Sequence, residues 1–73
     1  MGNYAEAVKY LKESAGRRSG DARLLFQLGM AHHRLRQWEA SKQALLRALE
    51  LGLAIKPAIE ARWTLTEMES NGR

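Results

Sequence analysis

The stretch that decides the fold of this chain is residues 21–51, which read DARLLFQLGMAHHRLRQWEASKQALLRALEL. It predicts two amphipathic helices joined by a very short turn, because apolar or small residues recur every three or four positions in both halves. In the first half these positions hold Leu24, Leu25, Leu28, Ala31, His32 and Leu35. In the second half they hold Trp38, Ser41, Ala44, Leu45, Ala48, Leu49 and Leu51.

Gly29 stands in the middle of the first predicted helix. A glycine inside a helix costs about 1 kcal/mol relative to alanine, so this position requires a compensating reason. We expect the reason to be a neighbouring helix that approaches too closely to leave room for a Cβ atom. The small residues Ser41 and Ala48 on the second helix suit such a close crossing.

Residues 21–51 resemble a tetratricopeptide repeat. The resemblance rests on eight positions that hold, in order, the family's large apolar residue, leucine, glycine, alanine, aromatic residue, small residue, large apolar residue and alanine. They are Leu25, Leu28, Gly29, Ala31, Trp38, Ser41, Leu45 and Ala48. The chain departs from the family pattern at His32, which replaces a tyrosine, and at Arg36-Gln37, which replaces a glycine and an acidic residue. The resemblance implies an all-α fold, a tetratricopeptide-type α-α superhelix of four antiparallel helices.

The pattern of the second helix occurs once more, 34 residues earlier in the chain. The pairs that share this offset are Tyr4 with Trp38, Ala7 with Ser41, Leu11 with Leu45, and Ser14 with Ala48. A period of about 34 residues is typical of tetratricopeptide repeats. Residues 3–15 are therefore predicted to be the second helix of a partial repeat. On this interpretation the chain is the C-terminal fragment of a multi-repeat protein.

The chain is predicted to be a single domain, residues 1–73, and turn and capping residues mark where its helices begin and end. A turn is predicted over residues 16–20, followed by Ser19 or Asp21 as the cap of the next helix. The complete repeat spans residues 22–52, with Gly52 as a helix C-cap.

A last helix is predicted over residues 57–70, with Pro57 in its first turn. We interpret it as a C-terminal capping helix, because terminal repeats are commonly atypical. Its apolar stripe would be Ala58, Ala61, Leu65 and Met68, flanked by Ile59 and Trp63. The polar residues Arg62, Thr64, Glu67 and Glu69 would face water.

Composition and motifs argue against an enzyme. No cysteine is present, no serine lies in a G-x-S-x-G context, and the glycines match no phosphate-binding loop. The adjacent residues His32 and His33 point about 100° apart on a helix, and neither has an acidic residue four positions away, so no metal site is predicted. No cofactor is expected either. No apolar run is long enough to cross a membrane.

The resemblance implies a protein–protein interaction module, the terminal part of a scaffold that presents a concave groove to a peptide or partner protein. The groove residues would lie on the central first helix, away from its core-facing stripe. They are Arg23, Phe26, Gln27, Met30, His33 and Arg34. Phe26, Met30 and His33 form a second stripe, which either meets the partner or is covered by the last helix through Trp63 or Ile59. Arg23 and Arg34 would then favour an acidic partner.

Two other functions remain open at the level of sequence. The net charge of +4, from 12 Lys and Arg against 8 Asp and Glu, is too small to indicate a nucleic-acid-binding helical repeat by itself. A homo-oligomerisation segment is the other alternative, because Tyr4, Val8 and Leu11 would be exposed at an open end and allow weak self-association. The arrangement also resembles bacterial envelope and secretion scaffolds, which would place the chain in the cytoplasm or periplasm.

Overall fold

The computed structural model describes residues 3–18 and 20–71, and within them four helices are joined by short connecting segments. The helices are α1 (Tyr4–Arg17), α2 (Ala22–Arg34), α3 (Trp38–Leu51) and α4 (Ile55–Asn71). Each helix packs against the next one along the chain, and α2 also contacts α4. The predicted all-α fold is confirmed over this part of the chain.

Side-chain caps determine where α1 and α2 begin. The Asp21 carboxylate accepts hydrogen bonds from the backbone N–H groups of Arg23 and Leu24, at 3.0 and 3.2 Å. Asn3 caps α1 in the same way. These bonds satisfy donors that have no partner within the first turn of a helix. Asp21 is thus confirmed as a cap, whereas Ser19 lies outside the described residues.

The largest differences from the predicted helix bounds, two residues each, are at the end of α1 and at the start of α4. Helix α1 continues through Gly16 to Arg17, two residues beyond the predicted end, because Gly16 keeps a helical conformation. Helix α4 begins at Ile55, so Pro57 is its third residue and still lies in the first turn, where a missing N–H removes no helical bond. Gly52 is confirmed as the C-cap of α3, with a left-handed φ of 102°.

The core of the molecule is the interface between α2 and α3. Ser41, Leu45 and Ala48 on α3 are completely buried there. A Cβ atom added at Gly29 would lie 2.7 Å from two side-chain carbons of Leu45, which is closer than any van der Waals contact allows. The Ser41 hydroxyl donates a hydrogen bond of 2.8 Å to the Gly29 carbonyl oxygen. The predicted reason for a mid-helix glycine is therefore confirmed.

The turn between α2 and α3 is held by a buried imidazole. His32 is buried in α2, and its Nδ1 lies 2.6 Å from the side-chain oxygen Oε1 of Gln37, to which it can donate a hydrogen bond. Arg36 adopts a left-handed conformation with φ 60°, the conformation for which glycine is normally used. The departure from the family pattern at residues 36 and 37 therefore preserves the shape of the turn while changing its chemistry.

Helix α4 rests on α2 and α3 through a face that differs partly from the predicted one. Ala61 and Thr64 are buried, and the Thr64 hydroxyl lies 3.7 Å from the sulfur of Met30. The prediction that Thr64 faces water is wrong, because this small side chain fits against α2 and finds a polarizable sulfur there. Ile59 and Trp63 are exposed, and Thr64 supplies the hydroxyl that contacts Met30.

The close crossing of α2 and α3 predicts opposite effects for two glycine substitutions. Gly29→Ala adds a methyl group against the fully buried Leu45 and should lower the free energy of unfolding by about 1–2 kcal/mol, despite the higher helix propensity of alanine. The matched control is Gly16→Ala, where no atom lies within 4 Å, and it should raise stability by about 0.5–1 kcal/mol. Urea unfolding measures both. A gain in stability for Gly29→Ala would contradict the crossing.

The left-handed backbone of Arg36 predicts different stabilities for two substitutions at this position. Arg36→Gly should be more stable to urea than Arg36→Ala by about 1 kcal/mol, because only glycine adopts this conformation without steric cost. The comparison isolates the backbone effect, since both variants remove the same exposed guanidinium. Equal stability of the two variants would show that residue 36 is free to leave the left-handed region.

Candidate functional site

Five of the six predicted groove residues line two adjoining depressions on the same side of α2. Phe26 and Met30 are half-buried, and Arg23, Gln27 and Arg34 are exposed. Both depressions are bordered by Phe26 and Gln27 of α2 and by Glu60 of α4. The continuity between them comes from helix geometry, because residues 23, 26, 27, 30 and 34 project from one face of a helix.

The first depression, the α2–α4 cleft, is a cavity of about 470 Å³ between the start of α2, the segment that follows α3, and the start of α4. Its lining includes the aromatic ring of Phe26 and the alkyl groups of Leu53 and Pro57. Arg23 and Lys56 bring positive charge to its edge, and Glu60 brings one negative charge. The lining residues are Ala22, Arg23, Phe26, Gln27, Gly52, Leu53, Ala54, Lys56, Pro57 and Glu60.

The second depression, the α1–α2 groove, has a volume of about 400 Å³ and is more apolar. Helix α1 contributes one wall and α2 the other, and Glu60 closes one border. The lining residues are Tyr4, Ala7, Leu11, Phe26, Gln27, Met30, Ala31, Arg34 and Glu60. The Arg34 guanidinium carbon lies 5.9 Å from the centre of the Tyr4 ring, close enough for a cation–π interaction across the groove.

His33 is the predicted groove residue that lines neither depression. Its ring packs edge-on against Trp38 at the start of α3, with ring centroids 5.3 Å apart and an angle of 64° between the planes. This geometry is a favourable aromatic arrangement. His33 therefore helps to hold the turn between α2 and α3, together with its neighbour His32.

Sequence reasoning assigned the groove to α2 alone and missed the walls that other helices supply. Tyr4 and Leu11 were expected at an open end of the chain, and the structure leaves Tyr4 exposed and Leu11 half-buried beside α2. The 34-residue offset was the available signal, because it predicts that α1 is a helix of the same type as α3. Glu60 had no such signal, since its position depends on how α4 packs.

Two further observations concern chemistry and membranes. Among the described residues, no three His, Cys, Asp or Glu side chains are placed to share a metal ion. None of the four helices combines the length and the apolar character that crossing a bilayer demands.

Helix α4 carries an exposed apolar stripe on the side opposite to its buried face. Ile55, Ile59 and Trp63 recur every four residues and are 78%, 62% and 68% exposed. Three large apolar side chains in one row on a surface helix commonly mark an interaction surface. We call this row the α4 stripe.

Comparison with known proteins agrees with the architecture. The family described as tetratricopeptide repeat matches residues 22–51, which are α2, the turn and α3. No curated protein and no solved structure gives a significant match to the chain.

Proposed function

We propose that this chain, whose residues 22–51 match the tetratricopeptide repeat family, holds a segment of a partner protein in the α2–α4 cleft. The bound segment would be an extended peptide or a helix that places an apolar side chain on Phe26. The chain's part is to present a rigid surface, and the proposal involves no reaction. The tetratricopeptide motif itself suggests a protein–protein interaction module.

The observation that carries the proposal is the combination of an apolar floor with charged edges. Phe26 is half-buried in α2 and lines the cleft, so part of its ring is accessible there. Binding sites for peptides typically combine such apolar contacts with a few polar groups that fix orientation. Leu53 and Pro57 complete the floor from the other side of the cleft.

The charges at the edges indicate the chemistry of the partner. Arg23 and Lys56 lie at the mouth of the α2–α4 cleft, and Arg34 lies farther along the same face of α2. Glu60 supplies the single acidic side chain between them. An acidic residue next to the apolar anchor of the partner would therefore be attracted to the cleft, and this electrostatic attraction would weaken as salt is added.

The proposal predicts the effect of placing a charge on the floor. Peptides are first selected against the chain from a random displayed library and then synthesised. They should bind Phe26→Glu about tenfold more weakly or worse, because a few apolar anchor contacts carry most of the binding free energy of such interfaces. Met30→Glu tests whether the bound segment continues into the α1–α2 groove. Fluorescence anisotropy with labelled peptide measures all variants.

The matched control is Leu46→Glu, which changes an exposed leucine of α3 that lines neither depression. It should bind the selected peptides like the unchanged chain. Unaltered affinity for both Phe26→Glu and Met30→Glu would show that the partner binds elsewhere. Saturable binding of a single-stranded oligonucleotide that falls steeply with salt would instead favour a nucleic-acid function.

A further inference from the structure

A third depression lies between the beginning of α3 and the last turns of α4, apart from the cleft and the groove described above. It is a cavity of about 240 Å³, and we call it the α3–α4 notch. We propose that the α3–α4 notch binds an arginine side chain of a partner protein. The proposal goes beyond the function proposed above, because it concerns another surface and a partner segment of opposite charge. The lining residues are Trp38, Glu39, Lys42, Leu65, Met68 and Glu69.

The corresponding place between α1 and α2 already holds a cation. Helices α1 and α3 begin and end 34 residues apart, and each packs against the helix that follows it. At the α1–α2 junction, the guanidinium carbon of Arg34 lies 5.9 Å from the centre of the Tyr4 ring. The residues 34 positions later are Trp38 and Met68, and both line the notch. The α3–α4 junction therefore keeps the aromatic ring but has a neutral thioether where the cation stood.

Trp38 has exposed surface on which a cation can stack. It is 46% exposed, although the ring of His33 packs against it with centroids 5.3 Å apart. Leu65 and Met68 are half-buried beside it and form the apolar part of the lining. Indole is the aromatic ring that attracts cations most strongly, and arginine is the cation found over such rings most often. A guanidinium is also flat and more weakly hydrated than an ammonium group, so it matches this surface better than lysine does.

The charge of the notch is complementary to a guanidinium. Glu39 and Glu69 contribute two carboxylates to the lining, and Lys42 contributes one ammonium group. Within the described part of the chain, Lys42 forms an ion pair with neither carboxylate, so both can receive a guanidinium from a partner. The α2–α4 cleft has the reverse balance, with two cationic side chains and one carboxylate. The two surfaces therefore select partner segments of opposite charge.

The size of the notch favours one side chain of a larger partner over a free small molecule. Pockets that enclose a whole small molecule measure roughly 300–1,000 Å³. The notch, at about 240 Å³, is below this range. Tryptophan and arginine are among the residue types that most often carry the binding free energy of protein interfaces. An arginine on the partner and Trp38 on this chain form such a pair.

The test uses a capped peptide of alternating glycine and arginine, with matched peptides that carry lysine or glutamate instead. The chain has two tryptophans, and their indole N–H groups give separate signals in an NMR titration. The arginine peptide should shift the signal of Trp38 and leave that of Trp63, which belongs to the α4 stripe and lies outside the notch. It should bind about threefold more tightly than the lysine peptide, and the glutamate peptide should not bind.

Two double variants separate the notch from the overall charge of the chain. Glu39→Gln with Glu69→Gln removes both carboxylates of the notch and should weaken binding of the arginine peptide about fivefold or more. The matched control is Glu6→Gln with Glu13→Gln, which removes two exposed carboxylates of α1 and changes the net charge equally. The control should bind the arginine peptide like the unchanged chain.

Met68→Arg supplies the notch with a cation of its own. By analogy with Arg34 over Tyr4, the added guanidinium should stack on Trp38 and shift its indole signal without any peptide. It should also weaken binding of the arginine peptide about tenfold or more, because the notch is then occupied and like charges repel. Circular dichroism should show unchanged helix content, since the corresponding position of α2 already holds an arginine.

Four results would overturn the proposal. The arginine peptide could shift the signal of Trp63 as much as that of Trp38, or bind no more tightly than the lysine peptide. The two double variants could bind the arginine peptide equally. Free methylguanidinium could shift the Trp38 signal as far as the peptide does at equal concentration, which would indicate a site for small cations. None of these results concerns the α2–α4 cleft, whose peptide binding can be measured in the Met68→Arg variant.

Discussion

The close approach of α2 to α3 at Gly29 is the constraint on which the rest of the structure depends. The absence of a side chain there lets Leu45 pack against the backbone of α2, and the Ser41 hydroxyl binds the carbonyl oxygen of the same glycine. Both residues of α3 are completely buried as a result. The hairpin therefore has one fixed crossing, and the directions of α1 and α4 follow from packing against it.

Much of this hairpin could be predicted because its signals are local and mutually consistent. A glycine in a strongly amphipathic helix, small residues on the next helix and a glycine after its end each indicate one feature, and the structure has all three. Gly52 adopts the left-handed C-cap conformation, and Gly29 lies at the crossing. The same reasoning reached α1 through the 34-residue offset, with an error of two residues at its end.

The packing of α4 was predicted less well, because its apolar residues surround the helix. Ala61 and Thr64 are buried, while Ile59 and Trp63 are exposed. Side-chain hydrophobicity alone would bury Ile59 and Trp63 and expose Thr64. The inward face is the one that packs against α3 and, through Thr64 and Met30, against α2. Prediction of the α1–α2 groove is limited in the same way. Its α2 residues follow from the periodicity of one helix, but the position of Glu60 and the contact of His33 with Trp38 depend on how the helices pack.

The neighbour-only arrangement of the helices has a consequence for local unfolding. Within residues 3–18 and 20–71, α1 contacts only α2, and α4 is joined to the remainder by the smallest interfaces, so either of these helices can open while the central hairpin persists. Amide protons of α4 should then exchange with solvent first, those of α1 next, and those of α2 and α3 last. Helix α4 forms one side of the α2–α4 cleft, so a peptide bound there would slow exchange in α4 more than in α1.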